Sequence, residues 1–356
     1  MDRRSRTAAL TGAALCALLV TTLVAQRAAT PPANSIAGTT AQIVTASQAV
    51  LAALDAAGRA KVQFPFDSPQ KQKWSNLPSP MYQRDGIRLT DLSAAQRESI
   101  MKLLQVALSA EGYQKVRDIM KGDEVLRTSS SGAGRGGRGP SFGELEYYLA
   151  FVGTPSTTAP WTLMFGGHHL AINLTMAGSQ ATMAPSLPAA QPASFTVEGR
   201  TVRPLGDEND KAFALINALD AAKQKQAILG SRVADLVLGA GQDGRTIQPE
   251  GIRASALSAA QQAQLWDIAR EWIGIANDAF AEPRMTEIKS HLNDTFFAWS
   301  GPTTNGSGAY YRIQGPTLLI EYSPQGSRGG GGLDTTHIHT IYRDPTNDYG
   351  ARLVKR

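Results

Sequence analysis

The segments Leu92-Ser-Ala-Ala95 and Leu257-Ser-Ala-Ala260 mark the same point in two similar halves of this 356-residue chain. A related segment, Leu54-Asp-Ala-Ala57 or Leu219-Asp-Ala-Ala222, precedes each of them by the same 38 residues. One such match would mean little in an alanine-rich chain. Two matched spacings, offset by 165 residues, predict an internal duplication.

Helix signals follow both segments. Ser93-x-x-Gln96 and Ser258-x-x-Gln261 have the spacing of a capping box, in which a hydroxyl and an amide satisfy free backbone groups of the first helical turn. Apolar residues then recur at helical spacing, namely Ile100, Leu103, Leu104 and Ala107 in the first half and Leu265, Ile268, Ala269 and Trp272 in the second. Ser109 is predicted to begin a further helix, which runs through Met120.

Short aromatic or β-branched stretches, punctuated by Gly and Pro, follow the helices in each half and predict strands. They lie at 145–153, 160–166, 168–175, 194–202, 294–300, 309–314, 317–323 and 336–343. The sequence therefore predicts an α+β fold made of two duplicated halves, about 45–205 and 206–356. Each half is predicted to have helices followed by a mostly antiparallel β meander, and both belong to one domain at 45–356.

The N-terminus has the features of a secretory signal peptide. Three arginines among the first six residues form a basic region, and residues 7–25 are an apolar stretch rich in Ala, Leu and Val. An uncleaved anchor is the alternative, because the stretch is nearly long enough to span a bilayer. We predict a signal peptide at 1–25 and a linker at 26–44. We also predict an exported protein, periplasmic or secreted, without stable membrane insertion after cleavage.

Composition restricts the chemistry that the mature chain can use. Cys16 is the only cysteine and lies in the predicted signal peptide, so no disulfide, thiolate ligand or thiol nucleophile is expected. The net charge of +5 is not accompanied by a basic helix, and the Gly-Arg run at 132–139 is typical of a surface loop. We therefore expect a small-molecule substrate or ligand as the partner, and no nucleic acid.

Four of the five histidines lie in two short clusters, Gly166-Gly-His168-His169 and His337-Ile-His339. Residues two apart on a strand point to the same face, so His337 and His339 are well placed to bind one metal ion. A His-x-His pair on a merely polar strand face is the alternative. A regular strand would send the adjacent His168 and His169 to opposite faces. We prefer His169 as a ligand, with His168 as its support, or as a ligand through a bulge at the preceding glycines.

Glu321 lies in the apolar stretch 318–322, where a carboxylate is costly unless it is paired or binds a cation. We interpret it as a metal ligand or general base, and an ion pair with Arg312 or Arg343 is the alternative. Arg343 is a candidate to orient ligands or hold substrate, and a purely structural role in the following turn is the alternative. The predicted metal site therefore comprises His168, His169, His337, His339 and Glu321, with Glu321 and Arg343 as catalytic candidates. Imidazole and carboxylate ligands suit zinc, iron, manganese or copper.

Several motifs are specific when they are taken together: Leu108-Ser-Ala-Glu-Gly-Tyr113, Val152-Gly-Thr-Pro-Ser156, Gly166-Gly-His-His-Leu170, Tyr311-Arg-Ile-Gln-Gly-Pro316 and Asn347-Asp-Tyr-Gly350. With His337-Ile-His339, they resemble a bacterial family known as domain of unknown function 3500. The resemblance covers roughly residues 45–356, nearly the whole mature chain. It implies a single family-length domain that is often exported, and it supplies no activity.

These observations support three functional hypotheses. The first is an exported metal-dependent enzyme, in which hydrolysis by a metal-activated water is favoured over oxygen chemistry. The second is a non-catalytic protein that binds a metal ion or a small ligand. The third gives the histidines a purely structural role, as hydrogen-bonding groups of a strand-rich core.

Overall fold

Helices occur in both halves of the structure, a computed structural model that describes residues 32–130, 140–326 and 333–354. The helices of these residues are α1 (Ile36–Ala53), α2 (Ala56–Val62), α3 (Ala94–Ala107), α4 (Ala110–Ser130), α5 (Gly206–Ala218), α6 (Ala221–Ala227), α7 (Ala259–Ile273), α8 (Asp278–Ser290) and α9 (Ala351–Val354). The predicted signal peptide at 1–25 and the Gly-Arg run at 132–139 lie outside the described residues.

Both predicted capping boxes are present and begin α3 and α7. In each box the serine hydroxyl accepts a hydrogen bond from the glutamine N–H, and the glutamine side chain accepts one from the serine N–H. The predicted apolar positions of both helices are buried. Ser109 likewise accepts from the Gly112 N–H at the start of α4, which runs past its predicted end at Met120 to Ser130.

Part of the linker predicted at 26–44 is wrong, because helix α1 begins at Ile36. Ser35 caps the helix with its side chain, and Ile43 and Val44 are buried on the side that packs against α3. Small residues fill much of the remaining buried face, so the stretch has the composition of a linker although it packs as a helix. Of the described helices, α1 alone is long and apolar enough to cross a membrane by length and composition, and 39% of it is buried inside the protein.

The predicted strands are all present, and shorter strands that were not predicted join them. The strands of the described residues are β1 (Gln63–Phe64), β2 (Ile87–Arg88), β3 (Tyr148–Val152), β4 (Trp161–Gly167), β5 (Leu170–Ala177), β6 (Gln180–Thr182), β7 (Leu187–Pro188), β8 (Phe195–Val197), β9 (Arg200–Val202), β10 (Ile252–Arg253), β11 (Phe296–Ser300), β12 (Tyr310–Gly315), β13 (Leu318–Gly326) and β14 (Leu333–Arg343).

These strands form three mostly antiparallel sheets. The first has the order β1-β3-β4-β5-β6, with β2 also on β3 and β7 also on β5, and only its β1–β3 pair is parallel. The second is an antiparallel meander with the order β10-β11-β12-β13-β14, and β8 pairs with β9 in a separate hairpin. The predicted α+β class with mostly antiparallel sheets is confirmed.

The segment 184–193 connects the two large sheets. On one side β7 pairs with β5, and on the other side Ser186 and Ala190 form backbone bridges with β14. The Ala189 N–H also donates to the His169 carbonyl. This connection places the β4–β5 hairpin beside β14, and it thereby brings the two histidine clusters of the sequence together.

A buried cluster of charges joins α4 to α5 and α7. Lys115 of α4 donates to Glu208 of α5 and to Glu271 of α7, whereas Glu208 Oε2 has no hydrogen-bond partner. Glu208 is fully buried. Burial, which Lys115 only partly offsets, raises the pKa of Glu208 from 4.5 to about 7.

This pKa predicts a pH-dependent stability. Between pH 4.5 and about 7 the folded state keeps a proton that the unfolded state releases, so stability is expected to fall as the pH rises through this range. Glu208→Gln removes the titrating group and should flatten that part of the profile. The exposed neighbouring variant Asp207→Asn should keep the wild-type slope. Thermal melts of the three proteins across this range are the measurement, and an unchanged slope in Glu208→Gln would contradict the prediction.

Candidate metal centre

His168 and His169 form the two-residue turn of the β4–β5 hairpin, between the paired residues Gly167 and Leu170. The regular strand and the bulge that were predicted for these residues are both wrong. His169 has a φ of +61°, in the left-handed region that side chains other than glycine rarely occupy. Strained conformations of this kind cluster at functional sites. Because the two residues lie in a turn, their side chains do not alternate between the two faces of a sheet. Both rings point towards common partners.

Three imidazole rings converge on one point. The Nε2 atom of His337 lies 3.0 Å from Nε2 of His169 and 3.0 Å from Nε2 of His339. His337 and His339 extend from the same face of β14, as predicted, and His169 meets them from the adjacent hairpin. A metal ion roughly 2.0–2.1 Å from each nitrogen would impose separations of about 2.8–3.4 Å between them, for bond angles from 90° to tetrahedral. His337 Nε2 therefore has the spacing of a shared metal ligand with each of its two neighbours, and one ring nitrogen from each of the three histidines lies within 4.8 Å of the others.

Hydrogen bonds between the rings cannot account for both of these short contacts. A ring nitrogen carries either one hydrogen or one lone pair in the ring plane. His337 Nε2 makes both short contacts, so a hydrogen on it can serve only one of the two neighbouring nitrogens. A cation at the centre would accept a lone pair from all three rings at once.

Asp123 fixes the ring of His169 from behind. Its Oδ1 atom lies 3.2 Å from Nδ1 of His169 and 3.0 Å from Nδ1 of His168, and its Oδ2 accepts from the Tyr147 hydroxyl at 2.7 Å. A carboxylate accepts hydrogen bonds, so the His169 hydrogen lies on Nδ1 and Nε2 keeps its lone pair. Metal-binding histidines are commonly held in this way.

A second group of donor atoms, from Asp123, His168 and His169, also lies within 4.8 Å. Hydrogen bonds from the two Nδ1 atoms to Asp123 already account for that group. Since Nδ1 of His169 faces Asp123, only its Nε2 atom is left for the cluster with His337 and His339. We therefore take those three histidines as the candidate ligands and place His168 behind them, as a second partner of Asp123.

Burial keeps the cluster neutral. Burial, and then the neighbouring His168, lower the pKa of His169 well below 6.5. Burial, and then His339, lower the pKa of His337 to about 3. Burial alone would raise the pKa of Asp123, but hydrogen bonds from His168 and His169 outweigh it and bring that pKa below 3.8. At neutral pH His169 and His337 are therefore neutral imidazoles and Asp123 is an ionised carboxylate, the protonation states that metal binding requires.

The outer side of the cluster has polar neighbours and access to solvent. The Asn76 side-chain amide lies 3.2 Å from Nδ1 and 3.3 Å from Nε2 of His339, and Asp235 Oδ1 lies 3.9 Å from Nδ1 of the same ring. Amide oxygen and nitrogen positions are interchangeable assignments, so Asn76 can accept the Nδ1 hydrogen and leave Nε2 of His339 for a metal. His169 and His339 are buried, whereas His337 is half-buried and follows the exposed Thr336. Solvent therefore reaches the cluster past the His337 ring.

Glu321 does not join the cluster. Its side chain is fully buried, and its Oε1 accepts from the Val237 N–H at 3.0 Å and from the Tyr310 hydroxyl at 2.6 Å. Its Oε2 accepts from the Leu238 N–H at 2.7 Å. The alternative ion pair with Arg312 is not formed either, since Arg312 pairs with an exposed glutamate. Hydrogen bonds from Tyr310 and from backbone N–H groups of the loop 229–251, here called the crossing loop, offset the cost of burying Glu321, so we remove it from the ligand and catalytic candidates.

Arg343 is also a structural residue. Its guanidinium donates to the Leu238 and Gly239 carbonyls and forms ion pairs with Asp243 and Asp348 at 2.9 and 2.8 Å. These partners belong to the same crossing loop and to the C-terminal turn, not to the histidine cluster. We therefore assign Arg343 a structural role, in which it holds that loop in place, instead of the predicted catalytic role.

The residue that sequence reasoning missed is Asp123. It falls on the buried face of α4 that Val116, Ile119 and Met120 define at helical spacing. A carboxylate on an apolar helical stripe is costly without a partner, and this was the available signal. Asn76 lies in a loop without periodicity and gave no comparable signal.

Replacing Asp123 is expected to weaken metal binding. Asp123→Asn removes the negative charge that favours the Nδ1 hydrogen of His169, and losses of about 10–100-fold in metal affinity are typical for such residues. Asp118→Asn is the matched control, because Asp118 lies on the same helix and, within the described part of the chain, accepts only from the exposed Gln114. Competition with a chromophoric chelator measures both affinities. Equal zinc affinity in Asp123→Asn and the wild type would contradict the role of Asp123.

The family model described as "Protein of unknown function (DUF3500)" matches residues 37–351, nearly the whole chain. No curated protein and no solved structure matches it. The matched range contains both histidine clusters and Asp123. The chain therefore belongs to the DUF3500 family, as the motifs in its sequence predicted.

Proposed function

We propose that His169, His337 and His339 bind one divalent metal ion and that the protein is an exported metal-dependent enzyme. The observation that carries this proposal is the convergence of three Nε2 atoms. Nε2 of His337 lies 3.0 Å from Nε2 of His169 and 3.0 Å from Nε2 of His339. The ionised carboxylate of Asp123 behind His169 supports it, because it fixes the tautomer that leaves Nε2 free.

Zinc is the ion that we favour. The ligand set is three imidazoles with no carboxylate, and imidazole suits zinc, copper and iron better than manganese. Three protein ligands with access to solvent on the His337 side leave a position for a water molecule or a substrate atom, as in catalytic zinc sites. Zinc lowers the pKa of a bound water to about 7, so hydrolysis is the favoured reaction class. Copper or iron would instead favour oxygen chemistry.

Activity assays test the enzymatic part of the proposal. Zinc-loaded and chelator-treated proteins should be compared on chromogenic carboxylic esters, phosphoesters and amides, and oxygen uptake should be followed after loading with copper or iron. We expect turnover of at least one class that depends on the metal and is lost in His337→Ala. Stoichiometric metal without turnover of any class would instead favour the non-catalytic binding protein.

Export is also part of the proposal. The support is the basic and apolar N-terminal sequence at 1–25 and the position of the only cysteine, Cys16, within it. Cell fractionation of the native host tests it. Recovery of the mature protein, cleaved near residue 25, outside the cytoplasm is expected, and a full-length cytoplasmic protein would contradict export.

We further propose that the two halves arose by duplication. Gln96 donates to the Ala53 carbonyl, and Gln261 donates to the Ala218 carbonyl. The β4–β5 and β12–β13 hairpins also pair in the same register, since Gly167 faces Leu170 and Gly315 faces Leu318. Superposition of the two halves in an experimental structure tests this, and a different register after superposition would contradict it. Under this proposal Thr317 is the counterpart of His169, so the metal centre is asymmetric.

A further inference from the structure

The loop between β11 and β12 carries the only Asn-Gly pair of the sequence, Asn305-Gly306. Both residues are exposed. The Ser307 N–H donates to the Thr304 carbonyl at 3.1 Å, which closes a tight turn with Asn-Gly at its centre. Gly306 has a φ of +82°, which glycine adopts without the strain that a side chain would cause. The turn therefore presents an asparagine side chain and the next backbone nitrogen together at the surface.

The Gly306 nitrogen is free to attack the Asn305 side chain. Its N–H has no hydrogen-bond partner among the described residues. Apart from the two chain neighbours, no atom of the described residues lies within 4 Å of the point where a Cβ atom on Gly306 would be placed. A side chain at this position would crowd the nitrogen, and glycine has none. Since the nucleophile and the carbonyl are held a few bonds apart in one chain, the attack has the high effective concentration of an intramolecular reaction.

Asn217 of α5 donates to the amide oxygen that takes part in this reaction. Its Nδ2 atom lies 3.4 Å from Oδ1 of Asn305 and 2.9 Å from the carbonyl oxygens of Phe213 and Thr303. The two carbonyls identify this atom of Asn217 as the nitrogen, so the atom of Asn305 that faces it is the oxygen. Negative charge develops on that oxygen during the attack, and a hydrogen-bond donor stabilises it. The amide nitrogen of Asn305 points to no partner among the described residues, so nothing there holds it against departure.

We propose that Asn305 is a site of spontaneous deamidation. In the first step the Gly306 nitrogen forms a bond to Cγ of Asn305, the bond from Cγ to Nδ2 breaks, and ammonia leaves with the proton of the Gly306 N–H. Water then opens the resulting succinimide at either of its carbonyls and gives aspartate or isoaspartate at position 305. The net change exchanges an amide for a carboxylate, and it consumes one water and releases one ammonia without any oxidant, reductant or enzyme.

Deamidation adds one negative charge beside a cavity. Gly306 and Ser307 line this cavity of about 190 Å³, and Arg203 is the only charged side chain among the described residues that line it. Arg203 already forms an ion pair with Asp210 at 2.7 Å. The new carboxylate precedes Gly306 in the chain, so it adds an unbalanced negative charge next to this cavity. The protein then exists in two charge forms, and their formation does not depend on the metal centre.

Peptide mapping by mass spectrometry, after incubation of the folded mature protein in mildly alkaline buffer, tests the proposal. Digestion at acidic pH prevents conversion during handling. We expect the peptide that contains Asn305 to gain the mass of the amide-to-acid exchange and to separate into aspartate and isoaspartate forms. Asn293 is the internal control, because it is also exposed but is followed by Asp294, and it should convert at least tenfold more slowly. Equal rates at Asn293 and Asn305 would overturn the proposal.

A synthetic peptide of residues 301–309 shows whether the conditions suffice for the reaction. Conversion of the peptide without conversion of the folded protein would mean that the fold protects Asn305, which overturns the proposal. Gly306→Ala should slow the conversion at least tenfold, because it adds a Cβ atom beside the attacking nitrogen. An unchanged rate in this variant, or aspartate without isoaspartate in the wild type, would indicate direct hydrolysis by water and would overturn the route through Gly306.

Discussion

The double variant His337→Ala/His339→Ala is expected to lose essentially all stoichiometric zinc, whereas the wild type should hold one ion per chain. Two of the three converging Nε2 atoms disappear, and His169 alone remains. Structural zinc sites with four ligands bind with about 10–16 kcal/mol, or roughly 3 kcal/mol for each ligand. Loss of two ligands should therefore weaken binding by about four orders of magnitude. Elemental analysis of tag-free protein after dialysis measures the zinc content.

His291→Ala is the matched control for this variant. His291 ends α8 and is absent from the groups of donor atoms that could hold an ion among the described residues. It should retain one zinc per chain with wild-type affinity. Equal zinc content in the double variant and the wild type would show that the metal is bound elsewhere.

Glu321→Ala is expected to destabilise the protein strongly without changing its zinc content. The substitution leaves the N–H groups of Val237 and Leu238 and the hydroxyl of Tyr310 without their acceptor. Unsatisfied buried donors cost about 1–3 kcal/mol each, so a loss of at least roughly 3 kcal/mol in the free energy of unfolding is expected for the three donors. Chemical denaturation measures the stability, and elemental analysis of the same samples measures the metal.

Glu250→Ala provides the comparison for Glu321→Ala. Glu250 is an exposed carboxylate that accepts one hydrogen bond from the buried Arg312 on the strand beside Glu321, and a hydrogen bond to a charged group contributes about 1.5–3 kcal/mol. Its removal should therefore destabilise the protein less than the removal of Glu321, which accepts three hydrogen bonds. A Glu321→Ala protein that stays as stable as Glu250→Ala but loses its zinc would restore Glu321 as a ligand.

The parts of the fold that could be predicted were those with local signals. Capping boxes at Ser93 and Ser258 and periodic apolar residues located α3 and α7, because both signals act within one helical turn. The β-branched and aromatic runs located the strands for the same reason. The part of helix α1 that lies before residue 45 was predicted as a linker. It buries small residues such as Gly38 and Thr40, which give its sequence the composition of a linker.

The site was only partly predictable, because its geometry depends on contacts that are distant in the sequence. Strand alternation correctly put His337 and His339 on one face. It could not show that His169 lies in a turn, or that the segment 184–193 brings this turn beside β14. The apolar surroundings of Glu321 indicated a satisfied carboxylate, but two of its three donors are backbone groups of a loop more than 80 residues away in the sequence. Sequence patterns carry no information about such donors.

The most direct test of the metal centre is an anomalous difference map from crystals of the mature protein grown with zinc, recorded on both sides of the zinc absorption edge. The proposal predicts one strong peak, roughly 2.0–2.1 Å from the Nε2 atoms of His169, His337 and His339. Asp123 should remain on Nδ1 of His169, away from the ion. No peak at these nitrogens at full zinc concentration, or a peak held by Glu321 instead, would contradict the proposal.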